Sequence, residues 1–249
     1  MMNLSNNKKT KQNKTINPDM QMSIFEHLEE LRYRAIKAII FFIITTGISF
    51  TYVNEISFLL KQPAIGVKFL QLAPGEYFFS SIKISSYTGL IISSPFIIYQ
   101  IVLFVLPGLT VKETKFFLPI LISSILLFFI GIYFSYTILI PAALHFFINY
   151  GSNIVEPFWS FEQYFDFILI LLISTGLAFQ IPIIQVIIGL VGLISSKQMM
   201  DSWKYVVLLS TVISAILTPS TDPFTQLFLS SAILILYFTG VCILIVLNK

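Results

Sequence analysis

Charge is what this chain has least of. Only 11% of its 249 residues are charged, while 56% are hydrophobic and the mean hydropathy is +0.88. A soluble domain carries roughly 25% charged residues. The composition therefore excludes a chain that covers its own core with a water-facing surface. The single cysteine, Cys242, sits in an apolar run. That excludes a disulfide framework and a cysteine metal site. Histidine is limited to His27 and His145. The run His27-Leu-Glu-Glu-Leu lacks the second histidine of a zinc-protease helix. No Gly-x-Ser-x-Gly elbow and no phosphate loop is present. Nothing in the residues asks for a cofactor or a metal, and no enzymatic activity is expected.

What remains is hydrocarbon-seeking sequence. Six spans are read at about 35–53, 84–106, 116–140, 166–194, 203–217 and 225–247. The expected fold class is all-α: a polytopic membrane protein with six transmembrane helices. Residues 1–22, with Lys8, Lys9, Lys11 and Lys14 among Asn, Gln and Thr, are expected to form a disordered basic tail rather than a signal peptide. Residues 23–249 then form one membrane domain. Twelve of the 15 Lys and Arg fall on the side of the two termini, and three (Lys61, Lys68, Lys83) on the other. The positive-inside rule puts both termini in the cytoplasm or its equivalent, the stroma or matrix. Heavy use of Ile, Phe, Asn and Lys points to an AT-rich genome. The longest connection, 54–83, is expected to form short helices on the far surface.

Function must then rest on the few polar residues. Before span 1 the chain reads His27-Leu-Glu-Glu30-Leu-Arg32-Tyr-Arg34. Glu30 and Arg34 are four apart and can pair on one helix face, at roughly 0.3–0.5 kcal/mol. Ser-x-x-Glu/Gln and Thr-x-x-Glu patterns at Ser23, Thr110, Ser160 and Ser195 fit the capping box. Glu113 thus has a plain structural role as a cap, and its second oxygen is left for a cationic partner. Gln180 lies in the middle of span 4, two residues before Pro182. A central amide must find partners, so it faces the bundle, either as a structural bond or as the lining of a path. Asp222, in the short turn between spans 5 and 6, either caps span 6 or serves function.

These pieces, in this order, resemble the TatC family, the large subunit of the twin-arginine protein translocase. The resemblance rests on His27-Leu-Glu-Glu30-Leu-Arg32-Tyr-Arg34, on Pro63, and on Ser94-Pro95-Phe-Ile-Ile-Tyr99-Gln100-Ile-Val-Leu-Phe104-Val-Leu-Pro107-Gly-Leu leading to Glu113. It continues in Phe179-Gln180-Ile-Pro182 and in Leu217-Thr-Pro219 followed by Asp222.

The resemblance implies a concave, cup-like bundle that receives signal peptides bearing two consecutive arginines on folded passenger proteins. By matching position, Glu30 and Glu113 would accept the guanidinium groups, with Phe104 and Arg32 at the same site. Gln180 and Pro182 would be intramembrane contacts, and Pro63 and Asp222 far-side functional positions. The implied partners are TatA- and TatB-type single-span subunits and further copies of the chain, with transport driven by the proton gradient. Many bacterial members carry glutamate where this chain has Gln180. The amide resembles the cyanobacterial and plastid branch, which makes the thylakoid membrane the first expected location. The bacterial plasma membrane and the mitochondrial inner membrane come next. The rival reading is a secondary transporter of a small solute, favoured by Pro182 and the short span 5.

Overall fold

A computed structural model describes residues 24–64, 66–105, 113–150, 158–218 and 223–247, with the side chains of Ile24, Glu113 and Thr114 left aside. The basic tail and Asp222 lie outside these residues. The described chain is almost wholly helical: α1 (Ile24–Thr51), α2 (Val53–Lys61), α3 (Glu76–Val105), α4 (Phe117–Phe134), α5 (Ile140–Tyr150), α6 (Phe161–Ala178), α7 (Ile181–Leu190), α8 (Ser196–Asp201), α9 (Trp203–Leu217) and α10 (Pro223–Val246). Among the described residues five helical stretches are long and apolar enough to cross a membrane: Phe25–Thr51, Glu76–Val105, Phe117–Tyr150, Phe161–Leu190 and Pro223–Val246. The sixth apolar helix, α9, has 15 residues, about 22 Å at 1.5 Å per residue.

Prolines decide where these helices bend or stop, because each lacks the N–H that the carbonyl four residues back requires. Inside α3, Pro95 deprives Ile91, and the Ser94 hydroxyl donates to the Ile91 carbonyl at 2.7 Å instead. The helix continues through it. Behind α2, Pro63 offers Leu59 no N–H, and the Leu59 carbonyl accepts instead from the Gln62 N–H at 3.2 Å and from the Tyr136 hydroxyl at 2.8 Å. The Tyr164 hydroxyl donates likewise to the Leu60 carbonyl, also at 2.8 Å. Two phenols from neighbouring elements thus fasten the end of α2. At Pro182 the helix breaks instead. The Gln180 N–H turns back to the Leu177 carbonyl, three residues away, and α7 starts afresh at Ile181. A π-helical turn over Ser135–Leu139 joins α4 to α5 just before Pro141.

α3 is the spine. It packs α1 along one side and α6 and α4 along others, while α10 binds α7 and α9. The core is centred on α6, where Phe165, Ile168, Leu169 and Leu171 are fully buried with Ile84, Leu139 and Ile140. α1 meets α3 at Gly89, whose missing side chain lets the backbones close until Thr45 donates to the Gly89 carbonyl at 3.0 Å.

Of the 54–83 connection, α2 is a short helix as expected and the first turns of α3 begin at Glu76; among the described residues between them no further helix forms. Beyond α2, strand β1 (Lys68–Leu70) pairs in parallel with β2 (Phe158–Ser160), Phe69 opposite Trp159. The pairing is local shielding: Phe69 meets Tyr164 edge-on at 4.7 Å, and Trp159 lies against the same ring.

Candidate functional site

The antiparallel packing of α1 and α3 brings the first turns of α1 beside the last turn of α3. His27, Glu30 and Arg34 recur at spacings of three and four and so share one face of α1. The His27 ring stacks on Phe104 of α3, with centroids 4.2 Å apart and planes 16° from parallel. Arg34 donates to Glu30 through Nε at 2.9 Å and also through Nη2, both to the same oxygen, Oε1. The pair is largely out of water, with side-chain exposures of 20% and 18%. The other oxygen, Oε2, is buried and has no hydrogen-bond partner. It faces His27 Nδ1 at 3.9 Å, beyond hydrogen-bonding distance.

An unmade bond at a buried charged oxygen is costly, so Oε2 is an acceptor held ready for a donor. The neighbouring His27–Phe104 stack offers flat faces to a planar cation. From this point an apolar groove of about 360 Å³ runs between α1 and α3, lined by Leu31, Ala35, Ala38, Ile97 and Ile101 and by the stem of Arg34. The arrangement joins a carboxylate acceptor to a slot for an apolar chain.

The candidate residues divide by position. Glu30 and Phe104 come together, and His27, which the sequence places in the entry motif but to which it assigns no role, lies between them. The signal available for it was its place three residues before Glu30. Arg32 sits on the outer face of α1, 3.5 Å from Glu29, both 73% exposed. Glu113 opens a 3-10 turn, Glu113–Phe116, just before α4. Its side chain lies outside the description. Pro63 closes α2 on the far side.

Gln180 lies at the α6–α7 break and pairs with Ser124 of α4. The Gln180 amide nitrogen donates to the Ser124 carbonyl at 3.0 Å, and the Ser124 hydroxyl donates back to Oε1. Pro182 is buried beside it at the start of α7.

A second polar cluster, unforeseen in the sequence, ties the far ends together. Buried Glu76 accepts from the Ala73 N–H at 3.1 Å, the Leu72 N–H, the Ser160 hydroxyl at 2.8 Å and the Glu162 N–H at 3.0 Å. Nearby, Lys83 bridges Glu162 at 2.7 Å and Asp166 at 2.8 Å. Among the described residues no group of three His, Cys, Asp or Glu could hold a metal ion.

Comparison with known proteins agrees with this architecture. The family profile of the Sec-independent protein translocase protein (TatC) matches residues 26–231. An uncharacterized tatC-like protein of Gracilaria tenuistipitata is 64% identical over 237 residues, covering 95% of this chain and 100% of that one. The Sec-independent protein translocase protein TatC of Synechocystis is 51% identical, covering 90% and 88%. The chloroplastic counterpart of rice is also 51% identical, covering 89% of this chain and 62% of that one. The crystal structure of a twin-arginine translocase receptor, TatC, superposes with a TM-score of 0.80 at 35% identity. It spans 90% of this chain and all of that one.

Proposed function

The chain belongs to the TatC family of Sec-independent protein translocase proteins, and we propose that it is the signal-peptide receptor of a twin-arginine translocase in a thylakoid membrane. It is a multi-pass transport component and not an enzyme. In this reading Glu30, with Glu113 from the following loop, receives the arginine pair of a signal peptide. Phe104 packs against it, Arg32 sits at the rim, and the α1–α3 groove takes part of the apolar stretch that follows. Single-span TatA- and TatB-type subunits and further copies of the chain assemble around it. Pro63 and Asp222 act on the far side. The chloroplast and cyanobacterial relatives support the thylakoid assignment.

The observation that carries the reading is the buried, unpartnered Oε2 of Glu30 beside the His27–Phe104 stack, at the mouth of an apolar groove. Guanidinium can bond a carboxylate with two parallel N–H groups, whereas lysine is a point charge. The groove supplies affinity through burial at roughly 25 cal/mol per Å² of apolar surface.

The test is site-specific photocrosslinking of signal peptides to the protein in membranes, comparing Arg-Arg with Lys-Lys. Glu30→Gln and Glu113→Gln variants are run in parallel. Loss of the crosslink with Lys-Lys and with either variant, at normal insertion, is expected. Equal crosslinking throughout would reduce both carboxylates to caps and surface pairs, and bring forward the solute transporter.

A further inference from the structure

We propose that Arg34 occupies the arginine site of its own chain, so that an arriving arginine pair must compete with it for Glu30. The inference rests on the reading of Glu30 as an arginine acceptor.

The geometry is specific. Arg34 places two donors on one oxygen, Oε1, and leaves Oε2 empty. A fork-to-fork pair would use both oxygens. An incoming guanidinium, arriving along the His27–Phe104 stack, finds only Oε2 and can make only half of that pairing. It also brings a second positive charge to a carboxylate whose charge Arg34 already balances. Side-chain exposures of 20% and 18% mean that water screens this repulsion weakly. The resident arginine thus sets a threshold: a single passing arginine gains little, while a pair can satisfy Oε2 and a second carboxylate together.

The opposite role would be positioning, in which Arg34 merely fixes the Glu30 rotamer. The two roles predict opposite signs. If Arg34 competes, removing its guanidinium exposes Oε1 and tightens binding. If it positions, removal loosens binding. Because the Arg34 stem lines the groove with Leu31 and Ala35, Arg34→Met keeps the apolar contact and deletes only the charged head.

The experiment measures binding of a fluorescent twin-arginine peptide, and its Lys-Lys counterpart, to the full chain in nanodiscs at fixed salt. Arg34→Gln and Arg34→Met are each expected to bind the Arg-Arg peptide about tenfold tighter. The preference over Lys-Lys should widen, because two oxygens discriminate a fork from a point charge. Glu30→Gln, alone or combined with Arg34→Met, is expected to bind weakly. Unchanged or weaker binding by the folded Arg34 variants would overturn the competition. Wild-type affinity in Glu30→Gln would instead overturn the receptor site on which it rests, whatever Arg34 does. Thermal unfolding of each variant confirms that it is folded. Should one Arg34 variant misfold, the other decides.

Discussion

Gly89 carries the contact that aligns α1 with α3, and replacing it with alanine tests whether that contact builds the site. A Cβ at Gly89 would lie 2.7 Å from Thr46 Cα and 2.8 Å from Thr46 N. Both are backbone atoms and cannot swing aside. Restoring ordinary contact at 3.4 Å requires the two helices to part by at least ~0.7 Å at that point. Overpacking of this kind costs about 1–3 kcal/mol. The bond from Thr45 to the Gly89 carbonyl is stretched with it. Against this, alanine gains up to about 1 kcal/mol of helix propensity over glycine.

Gly47, on the same helix pair, is the internal control, because a Cβ there meets nothing within 4 Å. Gly47→Ala should be neutral or stabilising. The two variants, identical in chemistry, should therefore differ by about 1–3 kcal/mol. In a chain of this size that is several degrees of Tm, at roughly 2–4 °C per kcal/mol. Thermal unfolding in detergent, followed by loss of the monodisperse species, reads the difference. The site should respond as well, since α1 carries His27 and Glu30 while α3 carries Phe104. The Arg-Arg peptide crosslink is expected to weaken in Gly89→Ala and to persist in Gly47→Ala. Equal melting and equal crosslinking of the two would refute the claim that close approach at Gly89 sets the register of the site.

Two further predictions concern polar groups away from the site. Glu76→Gln replaces an acceptor-only carboxylate with an amide whose nitrogen faces donors, leaving a buried N–H group unpaired, so the variant should lose about 2–3 kcal/mol of stability. Limited proteolysis between α2 and α3 should accelerate, and wild-type resistance would show that the cluster contributes little. Gln180→Leu removes the pair with Ser124 at the α6–α7 break and should cost about 0.6–1.7 kcal/mol, between the average and the largest value for interhelical bonds in membranes. It should leave peptide crosslinking intact, and loss of crosslinking without loss of stability would assign Gln180 a direct functional contact.

How much of this was legible in the sequence depends on the distance over which partners are found. Apolar runs are local, so the helical membrane class could be read directly. The Glu30–Arg34 pair needs only helical periodicity, and the polar entrance to α1 stood out against an apolar chain. Gln180 had to face the bundle because hydrocarbon offers an amide nothing, but its partner Ser124 is 56 residues away and is one serine among many. Glu76 meets Ser160 and Glu162 across more than 80 residues, and a lone glutamate after a Pro-Gly turn gives no sign of burial. The β1–β2 pairing was hidden for the same reason: three-residue strands show no period, and only the fold places Lys68–Leu70 beside Phe158–Ser160. The prolines fall between these cases. Pro182 announced a break, whereas nothing local showed that α3 runs on through Pro95. The hydroxyls that bond beside prolines lie at different ranges: Ser94 is adjacent to Pro95, while Tyr136 reaches Leu59 from 77 residues away.

The same dimensions limit what this chain does alone. Helices are about 10 Å across, and a ring of six encloses a hole of only about 10 Å. A folded passenger is wider than that, and here the helices do not form a ring. α1 packs chiefly on α3 and turns Ile39, Ile40, Ile43 and Ile44 outward. α9, at about 22 Å, falls short of a hydrocarbon layer of about 30 Å. A short helix in a thicker bilayer is accommodated by thinning the bilayer or by association with neighbours. Recognition and passage are therefore separable. In the proposed reading the α1–α3 groove holds a peptide, whereas movement of a folded domain requires a wider opening, made by further subunits or by a deformed membrane.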